Sequence, residues 1–127
     1  MKIAFDIGGV ITRYPVAMKT MMRALQAGGV DVHILSDIPI DILRKLVEIN
    51  DLNFIPAENV HSADWAADQD MCKSKMCESL GIDMLIDDRP DYCAVGNFIG
   101  LVVSPRPATT SYYAEGWNNT TAEIEEE

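Results

Sequence analysis

The sequence predicts an α/β fold with a mostly parallel sheet, and three observations carry that prediction. Short apolar runs alternate with segments of helical period along most of the chain. Gly and Pro stand at the joints between them, and three of the runs end in polar residues, at Asp6, at Ser36 and at Asp87-Asp88. Strands that alternate with helices of this length pair in parallel through right-handed crossovers, with helices on both faces of the sheet.

The first run, Lys2 to Ile7, reads as a buried strand closed by a tight turn at Gly8-Gly9. From Pro15 to Ala27, Met18, Met21, Met22 and Leu25 fall at i, i+3, i+4 and i+7, a helix with Pro at its start and Gly28-Gly29 at its stop. These methionines are expected to fill core. Val30 to Leu35 is a β-branched strand ending at Ser36-Asp37, and Pro39 opens a helix carrying Leu43, Leu46 and Val47 to about Asn50. Residues 51 to 70 are the least periodic, with a short strand expected at Asn59 to Ser62 and His61 read as structural. Cys72, Met76 and Leu80 mark a helix that stops at Gly81, before a strand from Ile82 to Ile86. Gly100 to Val103 is a last strand, followed by Ser104-Pro105-Arg106-Pro107, and a last helical turn is expected from Thr121.

The 127 residues are expected to form a single domain, 1–127, with an acidic tail from about residue 120. A net charge of -10 repels a phosphate backbone, so extended nucleic acid is not an expected partner. Cys72, Cys77 and Cys93 form neither an even disulfide set nor a C-x-x-C pair, which suits a reducing compartment. No secretory signal and no apolar stretch of membrane-spanning length is seen, so no membrane partner is expected and the reading is cytoplasmic.

In sheets of this kind ligands bind beyond the carboxyl ends of the strands. Asp6, Asp87 and Asp88 stand at such ends, and carboxylates that converge there are costly without a cation between them. Oxygen-only ligands on a rigid scaffold favour Mg²⁺, and Asp6 is then placed to act as an in-line nucleophile toward phosphorus.

Phe5-Asp6-Ile7-Gly8-Gly9-Val10, Leu35-Ser36-Asp37, Lys73 and Leu85-Ile86-Asp87-Asp88 occur in the order of the four motifs of the haloacid dehalogenase (HAD) superfamily, which residues 2 to 103 resemble. The resemblance implies a three-layer Rossmann-like HAD fold of about five strands in the order 5-4-1-2-3. It also implies a Mg²⁺-dependent phosphomonoester hydrolase working through an aspartyl-phosphate. Asp6 would be the nucleophile and a metal ligand, with the Gly8 carbonyl, Asp87 and Asp88 completing the protein side of the metal site. Ser36 and Lys73 would bind phosphate, with Lys75 the alternative motif lysine. The stretch Asp83 to Asp91 resembles the 5′-deoxynucleotidase-like branch, which implies a nucleotide monophosphate as the small phosphorylated substrate.

Two departures bear on activity. The family usually carries a second Asp, a general acid and base, two positions after the nucleophile, where this chain has Gly8; Asp37 is a candidate substitute donor. The segments Val10 to Pro15 and His61 to Lys73 are too short for a cap domain, so the site is expected to be open. It would then act on large substrates or borrow a neighbouring surface, as in a homodimer. The alternative to an enzyme is a catalytically weak or inactive module that binds phosphate or metal. Asp6-Ile7-Gly8-Gly9 also resembles the opening of sugar kinases and actin-like ATPases, but those need two large lobes, for which this chain is too short.

Overall fold

A computed structural model of the chain describes residues 1–93 and 96–104. The expected helical turn from Thr121, the acidic tail and residues 105–107 lie outside the described residues.

Five strands form one all-parallel sheet: β1 (Lys2–Phe5), β2 (Asp31–Ser36), β3 (Val60–Ser62), β4 (Met84–Asp87) and β5 (Ile99–Val102). The spatial order is β3-β2-β1-β4-β5, which read from the opposite edge is the expected 5-4-1-2-3. The helices are α1 (Pro15–Ala27), α2 (Ile40–Ile49), α3 (Trp65–Asp68), α4 (Cys72–Leu80) and α5 (Pro90–Cys93).

Side chains alternate across a strand, so each strand feeds both faces of the sheet. Ile3, Phe5, Val32, Ile34 and Ile86 pack on one face with Met18 and Met22 of α1 and Leu43 and Val47 of α2. Ala4, Leu35 and Leu85 pack on the other with Cys72 and Cys77 of α4 and Tyr92 of α5. The result is three layers in a Rossmann-like arrangement, and near-continuous apolar strands are what burial on both faces requires. No described helix is long and apolar enough to cross a membrane.

Local chemistry accounts for most element ends. Pro15 opens α1, Pro39 caps α2, and Gly81 closes α4 in the left-handed conformation at φ 70° and ψ 35°. Strand bounds shift by one or two residues elsewhere, and larger differences from the sequence reading fall in three places. β1 ends at Phe5 rather than Ile7, because residues 7–11 wind into one wide helical turn in which the Thr12 amide donates to the Ile7 carbonyl at 3.0 Å. Met21 is 40% exposed, so only Met18 and Met22 of the methionine stripe enter the core. Two short helices, α3 and α5, were not anticipated; α3 follows Asp64, whose carboxylate accepts from the Ala67 amide. A helix of four residues leaves too short a pattern to be read.

The edge strand β3 is fastened by side chains as well as by its ladder. His61 Nε2 lies 2.9 Å from His33 Nδ1, and His33 Nε2 lies 3.0 Å from Asp31 Oδ2. Asn59, just before the strand, donates to Asp31 and to the Val32 carbonyl. His61 thus has a pairing partner within the sheet, in agreement with its structural reading.

Ile34 is fully buried and Ile49 is 74% exposed. Ile34→Ala is therefore expected to lower unfolding stability by about 2–5 kcal/mol and Ile49→Ala by less than about 0.5 kcal/mol, measured by urea denaturation.

Candidate functional site

The sheet order reverses between β1 and β4, since β1 leads through α1 to β2 on one side while β4 lies on the other. A crevice at such a switch point is where an open α/β sheet receives ligands. Asp6 follows β1 directly and its amide donates to the Ile86 carbonyl of β4 at 2.9 Å. Asp87 ends β4 and Asp88 follows it.

Asp6, Asp87 and Asp88 are all buried and offer carboxylate oxygens within 4.8 Å of one another. Lys73 of α4 is 1% exposed and reaches into the same cluster, 3.0 Å from Asp6 Oδ1 and 2.5 Å from Asp87 Oδ2. Lys75, the alternative, points elsewhere: its side chain is exposed and pairs with Asp68 at 2.8 Å. The lysine in the cluster is Lys73.

One ammonium faces three carboxylates, and the electrostatics reflect the imbalance. Burial pushes the Asp6 carboxyl well above the usual carboxylate range; Lys73 opposes the rise, and the charges of Asp87 and Asp88 add to it. Asp88 is pushed up to about 7 by burial and then by the charge on Asp87. Burial works against the charge on Lys73, but Asp6 and Asp87 outweigh it and hold the ammonium above its ordinary value. Such a cluster relaxes either by taking up protons or by admitting a cation. Oxygens around an octahedral Mg²⁺ with bonds near 2.1 Å lie about 2.9–4.2 Å apart, so a small adjustment of these three carboxylates would suit it, and an all-oxygen donor set is what a hard divalent cation takes.

Ser36, at the end of β2, is buried, and its hydroxyl accepts from the Ile38 amide at 3.2 Å. The following segment is tied to β3 by Ser62 Oγ donating to the Ile38 carbonyl and by the Ala63 amide donating to the Ser36 carbonyl. Ser36 therefore stands at the same carboxyl edge as Asp6, one strand away.

The two glycines after Asp6 are not equivalent. Gly8 is extended, at φ −75° and ψ 132°, and a β-carbon there would meet nothing within 4 Å. Gly9 has φ 76°, and a β-carbon there would collide with the Asp88 carboxylate. Gly9 is required where Gly8 is not, a distinction the pair Gly8-Gly9 hides in the sequence.

Tyr92 and Arg89 went unread in the sequence as partners of Asp37. The Tyr92 hydroxyl donates to Asp37 Oδ2 at 2.7 Å and accepts from Arg89 Nη1 at 2.9 Å. Arg89 also pairs with Asp91 and Asp70, and its amide donates to Asp87 Oδ1. Asp37, the candidate substitute proton donor, thus has one carboxylate oxygen committed to Tyr92.

No family model matches the chain, and no curated protein matches it significantly. Among solved structures it is similar to one described as "Structure of DsGPDH of Dunaliella salina", at 16% identity and a TM-score of 0.47. The match covers 71% of this chain and 20% of that one, so the chain spans about a fifth of that protein's length. No functional conclusion follows from a likeness at that level.

Gly8→Ala is expected to leave stability unchanged or to raise it by up to about 1 kcal/mol, because the new methyl has space at an ordinary φ. Gly9→Ala is expected to cost at least about 1–2 kcal/mol from its left-handed backbone alone, and more from the collision with Asp88. Urea denaturation of the two variants beside wild type separates these outcomes.

Proposed function

We propose that the chain is a Mg²⁺-dependent phosphomonoester hydrolase of the haloacid dehalogenase type, with Asp6 as its nucleophile. The observation that carries this reading is the buried Lys73 joining Asp6 to Asp87 beside Asp88 at the sheet's switch point. The metal would be held by Asp6, Asp87, Asp88 and the Gly8 carbonyl, and when bound it would offset the charge of the carboxylates and of the phosphate.

An Asp6 oxygen attacks phosphorus, the P–O bond to the leaving group breaks, and the leaving oxygen departs with the bonding pair. Water then attacks the same phosphorus, the P–O bond to Asp6 breaks, and inorganic phosphate leaves with the Asp6 carboxylate restored; the proton the water gives up to solvent balances the one the leaving oxygen takes from it. Asp6 and Asp87 hold the Lys73 ammonium above its ordinary value in the resting site, so it is placed to counter negative charge on nucleophile and phosphate alike. The Ser36 hydroxyl is the phosphate's hydrogen-bond donor. The substrate is a small phosphate ester, with a nucleotide monophosphate favoured by the resemblance of the stretch Asp83 to Asp91. An open site with no cap, served by a large substrate or a second copy of the chain, and a cytoplasmic setting for the three free cysteines complete the reading.

One observation favours a second reading. Gly8 supplies no proton to the leaving oxygen, and Asp37 is engaged by Tyr92, so the module would bind phosphate and metal with little or no turnover. The two readings part on leaving-group dependence, since a missing general acid costs about 10²–10⁴ in rate and matters most for a poor leaving group.

Phosphate release from nucleoside monophosphates and one aryl phosphate, with Mg²⁺, is expected from wild type and absent in Asp6→Asn. Equal background release from both proteins on every substrate would reject the hydrolase in favour of the binding module. Gly8→Asp, whose β-carbon would meet nothing within 4 Å, is expected to raise turnover of the nucleoside monophosphates by about 10²-fold or more and that of the aryl phosphate far less.

A further inference from the structure

Tyr92 lies on α5, between the end of β4 and β5, and is among the largest fully buried side chains of the protein. Its ring packs with Leu35, Cys72 and Leu85 in the core on the α4 face. A phenol buried there needs partners for its hydroxyl, and it finds both: Asp37 accepts from it and Arg89 donates to it. The ring face carries two cations, with the Arg89 guanidinium 4.0 Å and the Lys73 ammonium 5.0 Å from its centroid, inside the range in which the ring's negative face attracts a charge.

These contacts join three segments that the sheet leaves separate. Asp37 directly follows Ser36 at the end of β2, Arg89 directly follows Asp88 beyond β4, and Lys73 belongs to α4. Strands β2 and β4 are not neighbours, since β1 runs between them. Their ends stand roughly 10 Å apart, two inter-strand spacings, and no ladder hydrogen bond fixes one relative to the other. The Tyr92 to Asp37 hydrogen bond crosses that gap, while the Lys73 ammonium lies over the same ring.

We propose that Tyr92 is a positioning residue that sets the separation between the Ser36 turn and the Lys73 ammonium, and so determines how well the site binds a phosphate group that Tyr92 itself does not touch. The proposal rests on the reading of Ser36 and Lys73 as the phosphate-binding pair. The hydroxyl holds the turn through Asp37, and the ring holds the lysine, so the two halves of an anion site are preset before the anion arrives. The Tyr92 hydroxyl is engaged by Asp37 and Arg89, so its effect on phosphate is expected to be separable from any effect on Mg²⁺.

The test is calorimetric binding of inorganic phosphate in saturating Mg²⁺, with Mg²⁺ binding measured beside it. Tyr92→Phe keeps the ring and removes the tether, and is expected to weaken phosphate binding about tenfold while Mg²⁺ affinity stays within about twofold. Asp37→Ala is expected to match that loss, and Asp37→Asn, which still offers an accepting oxygen, to bind phosphate at least as well as wild type. The Tyr92→Phe/Asp37→Ala double variant is expected to be no weaker than either single one, because both remove the same bond.

Wild-type phosphate affinity in Tyr92→Phe would overturn the proposal, and so would independent losses that multiply in the double variant. A parallel fall in Mg²⁺ affinity would overturn it too, by marking a general structural role. Asp37→Ala leaves the buried ring in place and decides the matter alone if Tyr92→Phe does not fold: undiminished phosphate binding there overturns the proposal. Absence of phosphate binding in wild type would instead remove the underlying phosphate-site reading, and the proposal with it.

Discussion

The ion pairs of Lys73 are the constraint on which the arrangement of the site depends. A fully buried ammonium is held between Asp6, at the end of β1, and Asp87, at the end of β4, and so it ties α4 to the two strands that flank the switch point. Removing such a charge from water costs several kcal/mol, and only close partners with good geometry repay it. The repayment here leaves a surplus of negative charge, because Asp88 joins the same cluster. Burial first, and the surplus charge in addition, raise Asp6 and Asp88 above the ordinary carboxylate range, and a divalent cation relieves strain of this kind.

The turn after Asp6 is shaped by the same crowding. Asp88 approaches the backbone so closely at residue 9 that a β-carbon would collide with its carboxylate, and the left-handed φ of Gly9 folds the chain back into the wide turn that leads to α1. Residue 8 sits one step earlier on ordinary extended backbone with open space around it. The missing side chain at Gly8 therefore has no steric origin. A β-carbon there would meet nothing within 4 Å, so glycine at this position is not imposed by its neighbours.

Around this cluster the second face of the sheet supplies support. Tyr92 brings the β2 turn, the β4 turn and α4 to one buried phenol, and Arg89 extends the network to Asp70 and Asp91 at the surface. The carboxylates of the cluster stand at the carboxyl ends of β1 and β4, and Asp37 and Arg89 of the supporting network follow β2 and β4. The β2 turn is held from its other side by Ser62 and Ala63 of the β3 end, so the edge strand takes part in positioning Ser36.

Most of the architecture is legible in the sequence because local patterns decide it. The apolar runs of β1, β2 and β4, the Pro and Gly residues bounding α1, α2 and α4, and the polar residues at strand ends all act within a few residues of where they stand. The carboxylates Asp6, Asp87 and Asp88 are legible for the same reason, since they close apolar runs, whereas Ser36 and Lys73 are singled out for phosphate only through the resemblance to the HAD motifs. Tertiary structure alone decided the rest. Lys73 and Lys75 differ by two positions on one helix, and only packing buries the first while leaving the second at the surface with Asp68. Gly8 and Gly9 are identical letters until Asp88, 79 positions beyond Gly9, comes to lie against one of them. Tyr92 carries no local signal at all, because its partners Asp37 and Lys73 are distant in sequence and meet it only when the parallel crossovers bring their strand ends and helix together. Periodicity tells which face of an element is buried; which side chains meet there depends on the order of the strands.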